Sequence, residues 1–149
     1  MSYYFAKTIE AGDIEAAHER VKAALQEQGF GILTEIDLQA TLKEKIGADF
    51  RPYRILGACN PSLAHKALQA EDKIGTMLPC NVIIQPVGAK AFEVAAVDPV
   101  GSMQAVENEA LAEVATGVRD KLKAVIAALS QWLDRPIYPL RNVPRRMPM

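Results

Sequence analysis

The sequence predicts an α+β domain in which two long helices, with some short ones, cover one face of a mostly antiparallel sheet. Five segments have the composition of strands, and two of them predict a hairpin. Two longer segments carry apolar residues at helical spacing. The 149 residues fit one domain, which is large enough to fold without a disulfide or a metal.

The first strand and the first long helix open the chain. Residues 2–9 are rich in β-forming residues. Asp13 is expected to cap a helix that runs to about Gln28, because apolar residues recur three and four positions apart. Gly29 is expected to end this helix in the left-handed conformation that glycine tolerates best.

A short helix is predicted between the second and third strands. Residues 30–36 and 52–58 predict the strands, and Asp37 begins the helix. Alternation along the second strand should place four residues on one side, and the helix should turn three residues inward. These are Phe30, Ile32, Thr34 and Ile36, and Leu38, Leu42 and Ile46.

The second half of the chain predicts two more helices and a hairpin. Asn60 and Pro61 mark a helix start, because Asn is a good cap and Pro loses no needed hydrogen bond at the first helical position. Residues 81–87 and 91–97 form the predicted hairpin. A continuous apolar stripe predicts the second long helix over about 104–130.

The chain divides into a domain over residues 1–130 and a Pro/Arg-rich tail over 131–149. Residues 1–134 hold 13 Lys/Arg and 18 Asp/Glu, whereas residues 135–149 hold four arginines and no acid. We expect the basic tail to lie on an acidic body, its own or a partner's. Nucleic-acid binding is not expected, since no basic body stands behind the four arginines.

The expected location is the cytoplasm, with no membrane association. No apolar run approaches the ~18 residues that a span needs, and the N-terminus does not resemble a signal peptide. Cytosolic thiols are kept reduced, so a permanent disulfide between the two cysteines is not expected.

The uncovered face of the sheet predicts a homodimer. Val82, Ile83 and Ile84 are consecutive, so both faces of this strand are apolar. A large bare apolar patch usually marks an interface. We therefore expect a second copy of the chain to cover the face that the helices leave open.

Cys59 and Cys80 are the residues most suited to chemistry. Cys59 ends a strand directly before a helix start, where unpaired amides favour a thiolate. Cys80 begins another strand, so the two sulfurs share a pocket if these strands are neighbours. Three interpretations stay open: buried small hydrophobes, a thiol-reactive or redox pair, or ligands of zinc, copper or another soft metal.

The predicted cleft is formed by five residues around these strand ends: Cys59, Asn60, Cys80, Asn81 and Asp98. A metal there would take Cys59 and Cys80, with further ligands from His65, Asp98 or a partner chain, because structural zinc requires four. Alternatively, His65 is a surface residue. The simpler interpretation of Asp98, which precedes Pro99, is that it shapes a turn.

Three further polar residues have simpler interpretations. Glu35 and Asp37 are two apart at a strand end and could form a carboxylate pair for acid–base work. Alternatively, Asp37 caps the next helix and Glu35 is solvated. His18 lies beside the apolar stripe of the first long helix and is expected to have a structural or surface role.

The middle of the chain resembles the domain-of-unknown-function 302 family. The resemblance rests on EID at 35–37, ACNP at 58–61 and LPCN at 78–81, in that order. It implies a two-layer sandwich, usually dimeric, and implies no activity. Residues beyond about 130 lie outside the pattern.

The sequence identifies no reaction. It contains none of the phosphate-binding, zinc-protease or hydrolase motifs GxGxxG, GxxxxGK[ST], HExxH and GxSxG. The leading hypothesis is a small dimeric binding domain whose cleft near the two cysteines holds a small molecule or a metal ion. The alternatives are a thiol-dependent enzyme or redox protein using Cys59, and a structural or partner-binding module with inert cysteines.

Overall fold

The computed structural model of the chain describes residues 2–133, with side chains described through residue 129. The elements follow one another as β1 (Tyr4–Glu10), α1 (Ile14–Glu27), β2 (Gly31–Asp37), α2 (Leu38–Ile46), β3 (Arg54–Cys59), α3 (Pro61–Ala70), a 3₁₀ helix (Asp72–Met77), β4 (Cys80–Gly88), β5 (Ala91–Val97), α4 (Pro99–Ser102) and α5 (Glu109–Leu133).

The five strands form one antiparallel sheet in the order β1-β5-β4-β3-β2. The long helices α1 and α5 pack on one face of it and bury the main core, as the sequence predicted. No helix within residues 2–133 is long and apolar enough to span a bilayer. A second, smaller core lies between α3, the 3₁₀ helix, α4 and α5: Ala67, Ile74, Met103, Leu111 and Ala115.

The other face of the sheet carries an apolar row that crosses all five strands. Residues directly opposite each other in an antiparallel pair have their side chains on the same face of the sheet. The pairing places five apolar residues side by side in this way, one from each strand: Ala6, Ala95, Ile83, Ile55 and Ile36. Within the described residues, α1 and α5 pack on the opposite side of the sheet, so we call this side the open face. Val82 and Ile84 lie on the covered face and are fully buried. The apolar run in β4 therefore serves both faces.

A bulge in β2 corrects the predicted alternation of that strand. The register of β2 against β3 shifts between Ile32 and Thr34, so Leu33 is the extra residue. Phe30 and Ile32 belong to the helix-side core, whereas Thr34 and Ile36 turn to the open face. The four residues that were predicted to share one face of the strand therefore lie on two faces. The bulge also brings Glu35 to the helix-covered face.

Two helix predictions also need correction. The second long helix begins at Glu109, because Asn108 accepts a hydrogen bond from the Leu111 amide at 3.2 Å and caps it there. It continues to Leu133, beyond the predicted end at about residue 130. Ile46 is 72% exposed and not inward. The helix starts predicted at Asp13, Asp37 and Asn60 are confirmed, each by a side-chain cap.

Candidate functional site

The two cysteines lie at neighbouring strand ends on the helix-covered face. Cys59 is the last residue of β3 and Cys80 is the first residue of β4. The two strands are antiparallel neighbours, and Cys80 is paired with Ala58. Both thiols are free. The juxtaposition of these strand ends, which the sequence left conditional, is therefore present.

Local structure on each side fixes these positions. Asn60 accepts a hydrogen bond from the Leu63 amide at 3.2 Å and caps α3, so the chain leaves the sheet immediately after Cys59. On the β4 side, Pro79 packs over Gly57, where a Cβ would lie 2.7 Å from its Cγ. Only glycine allows this close approach.

A small cavity lies beneath both cysteines, and we call it the cysteine pocket. Its free volume is about 30 Å³. Apart from the cysteines and Asn60, its lining consists of apolar side chains from β2, β3, α3, α4 and α5 and the segments next to them: Phe30, Ala58, Leu63, Ala64, Ala67, Leu78, Pro79, Pro99, Met103, Leu111, Val114, Ala115 and Val118. The space suits an apolar group, since a buried water needs polar partners.

The two thiols differ in accessibility. Cys80 is 6% exposed, whereas Cys59 is only partly buried. Burial raises the pKa of the Cys80 thiol to about 11, and the charge of a neighbouring Cys59 thiolate adds to the shift. Cys80 is therefore a neutral thiol at physiological pH. Cys59 is the sulfur that a reagent from solvent meets first.

Three of the five predicted cleft residues come together. Cys59, Asn60 and Cys80 line the cysteine pocket. Asn81 does not line the pocket. It follows Cys80 in β4, so its side chain faces the opposite side of the sheet and lies exposed beside Tyr3 and Tyr4 on the open face.

Asp98 also lies outside the pocket lining. It caps α4 by accepting a hydrogen bond from the Val100 amide at 3.0 Å, which agrees with the simpler interpretation of this residue.

The three predicted metal ligands, Cys59, Cys80 and His65, do not lie around one point. His65 is exposed on α3 and does not line the cysteine pocket. In the described part of the chain, no three His, Cys, Asp or Glu side chains are grouped so that they could hold a metal ion. Zinc or another soft metal would need ligands from elsewhere, and the metal assignment stays a prediction.

A polar cluster at the opposite end of β3 was missed by sequence reasoning. His18 on α1 is 5% exposed and donates from Nε2 to Glu35 Oε1 at 2.6 Å. Its Nδ1 accepts from Arg54 Nη1 at 2.9 Å. Since a guanidinium only donates, the contact assigns the proton to Nε2. Arg54 also binds Glu15 and lies 4.0 Å from Asp37.

The predicted carboxylate pair belongs to this cluster and is already engaged. The hydrogen bond from His18 holds the pKa of Glu35 below its ordinary value of 4.5, and Lys22 acts in the same direction at 3.7 Å. Asp37 caps α2, with the Ala40 amide 3.0 Å away. Both nitrogens of His18 are occupied, so the cluster joins α1 to β2 and β3.

Comparisons with known proteins support the fold and name no activity. A crystal structure of the uncharacterized conserved protein DUF302 from Bacillus stearothermophilus superposes with a TM-score of 0.79 at 26% identity, covering 87% of this chain and 99% of that one. No curated protein matches the chain significantly. The family model for the domain of unknown function DUF302 matches residues 5–129. The chain therefore belongs to the DUF302 family, as its central motifs predicted.

Proposed function

We propose that this protein is a small homodimeric binding domain of the cytoplasm, whose ligand site is the cysteine pocket. The observation that carries the proposal is that Cys59 and Cys80, from two different strands, border one apolar cavity on the helix-covered face. Asn60 adds the polar edge. Apolar walls with few polar groups are typical of small-molecule sites.

The size of the pocket restricts the ligand. A free volume of about 30 Å³ leaves room for little more than one small group. A larger ligand requires side chains to move, and Met103 in the wall is an unbranched, adaptable side chain. We therefore propose a small apolar molecule, or the apolar end of a larger one, inserted next to the thiols.

Thiol protection tests this site. The reduced protein is alkylated with iodoacetamide with and without saturating benzene or indole, two apolar probes. We expect either probe to slow alkylation of Cys59 and to raise the melting temperature. A probe that changes neither quantity would contradict the proposal.

A matched pair of variants locates the effect. Ala64→Leu fills the pocket from the partly exposed side of α3, so the probes should no longer protect Cys59. Ala16→Leu adds the same side chain at an exposed position of α1 and should leave protection unchanged. If both variants behave alike, the probes bind elsewhere. Protection of both cysteines by added zinc would instead favour a metal site.

The open face supports the homodimer. Its central row from Ala6 to Ile36 is apolar, while the neighbouring row contains Glu93 and Gln85. Gln85 joins Arg51 to Glu93 through hydrogen bonds of 2.9 Å each. A two-fold axis through the apolar row would bury it between two copies and leave the polar row at the rim.

The oligomeric state is measured by light scattering. We expect a dimer at micromolar concentration, and Ile83→Lys on the open face should yield a folded monomer. Val87→Lys, at an exposed position near the hairpin turn, is the control and should remain dimeric. A monomeric wild type would remove the dimer from the proposal.

The cytoplasmic location rests on the two free thiols, which suit a reducing compartment. Nucleic acid is not a proposed partner, because residues 1–134 carry a net charge of −5. The basic tail lies beyond the described residues.

A further inference from the structure

We propose that Cys59 and Cys80 form a reversible disulfide by exchange with small-molecule disulfides, with Cys59 as the attacking sulfur and Cys80 as the resolving one. The inference concerns the site of the proposed function, but disulfide formation itself does not require a ligand.

The strand register brings the two α-carbons within disulfide range. Cys80 is paired with Ala58, the residue before Cys59. Opposed α-carbons of an antiparallel pair are roughly 4.5–5.5 Å apart and successive residues rise about 3.4 Å, so the Cys59 and Cys80 α-carbons are roughly 6 Å apart. Native disulfides span about 4.4–6.8 Å between α-carbons.

Both residues also border the same space. Strict alternation would send Cys59 and Ala58 to opposite faces of β3. Cys59 is the last residue of the strand, however, and it borders the same cavity as Cys80. The charge of Cys59 also contributes to the raised pKa of Cys80, as expected for neighbouring groups.

The order of the two steps follows from exposure. A disulfide arriving from solvent reaches the partly exposed Cys59, whose thiolate attacks one of its sulfurs and releases the first thiolate. Cys80, buried behind it, then loses its proton and attacks the Cys59 sulfur of the mixed disulfide. The second small thiolate leaves and takes up that proton. Two protein thiols are oxidised, and one external disulfide is reduced to two thiols.

The cross-link would act on the pocket wall. Residues 60–79 between the cysteines contain α3, which carries Leu63, Ala64 and Ala67 of the pocket lining, and the 3₁₀ helix. Closing this loop restricts the unfolded chain and ties the wall to the sheet. We therefore expect the oxidised protein to melt at a higher temperature and to bind apolar probes less well than the dithiol.

The test uses the full chain, glutathione disulfide and intact-mass analysis after acid quenching. The mass of the wild type should fall by that of two hydrogen atoms, because one disulfide has formed, and no glutathione should be attached. Cys80→Ser should accumulate one glutathione per chain, because no thiol remains to resolve the mixed disulfide. Cys59→Ser should react much more slowly. Circular dichroism checks that both variants are folded.

Other outcomes overturn the inference. They are a stable glutathione adduct on the wild type, a disulfide between two chains, or equal reaction of the two serine variants. The probe assay on the reduced protein reports separately on the proposed function, so either proposal can fail while the other stands.

Discussion

The two ends of β3 show how differently one strand can be used. At Arg54, every polar group in contact is paired: Arg54 with His18 and Glu15, and His18 with Glu35. At Cys59, five residues along, the surroundings are apolar and enclose a small cavity. The Arg54 end has residue types that are common in active sites, but Arg54 and His18 are already bonded to each other and to neighbouring carboxylates. The second end has fewer polar groups, and its cavity is lined almost entirely by apolar side chains.

This contrast decides which region is a candidate for function. Hydrogen bonds around a buried histidine stabilise one arrangement of the elements that it joins. Both ring nitrogens of His18 are engaged in hydrogen bonds, with Glu35 and Arg54. Cys59, by contrast, is partly exposed at the edge of an apolar cavity, so its thiol can be reached from solvent. We therefore assign a structural role to the Arg54 end of β3 and propose a binding role for the Cys59 end.

Alkaline pH should produce the largest effect, at the cysteine end. The pKa of Cys80 rises on folding from 9.0 to about 11, so the folded state holds this proton more tightly. The resulting stability is complete below pH 9 and is lost as pH rises through about 11, by roughly 2–3 kcal/mol in total. Urea unfolding between about pH 8 and pH 11 measures this loss.

Cys80→Ala should lack this alkaline component. Cys59→Ala is its control and should keep the larger part of the component, which comes from the burial of Cys80. If Cys80→Ala loses stability with pH as steeply as the wild type, the burial of Cys80 does not have the effect described.

Arg54→Met should produce the next largest effect, at the polar end. The substitution leaves Nδ1 of the buried His18 without its donor, which costs about 1–3 kcal/mol in the free energy of unfolding. Arg51→Met is the matched control, because Arg51 is exposed on the other face. Equal losses in urea unfolding for the two variants would show that the cluster does not stabilise the fold.

Acid pH should produce the smallest effect. The pKa of Glu35 is lowered on folding, so its contribution is present above about pH 4.5 and is lost as pH falls through the folded pKa. Glu35 is well exposed, so we expect less than about 1 kcal/mol. Glu35→Gln should lack this acid-dependent part in pH-resolved urea unfolding, whereas Glu44→Gln on α2 should keep it. Identical acid profiles for all three proteins would contradict this assignment.

Local signals in the sequence predicted much of the fold. Asp13, Asp37 and Asn60 each cap the helix that follows, because a short polar side chain can reach a free amide within its own segment. Gly29 has the predicted left-handed backbone, with a φ of 84°. The hairpin of β4 and β5 depends on adjacent residues in the same way.

The parts that depend on distant contacts could not be predicted in this way. The bulge at Leu33 changes which side Glu35 faces, and no local pattern marks it. Asn108 caps α5 and also binds the Ala70 carbonyl at 2.8 Å, a contact across 38 positions. For the site, the sequence predicted Cys59, Asn60 and Cys80 because strand ends and caps locate them. Asn81 was misplaced because the alternation of β4 was not applied to it.

The central claim is that the two sulfurs are neighbours in one accessible pocket. Phenylarsine oxide tests it directly, because its trivalent arsenic binds two adjacent thiols and releases one water. We expect one equivalent to block both Cys59 and Cys80 in the reduced native protein, and either serine variant to bind it much more weakly. If excess reagent leaves both thiols free to be alkylated, the sulfurs are not neighbours and the proposed site is wrong.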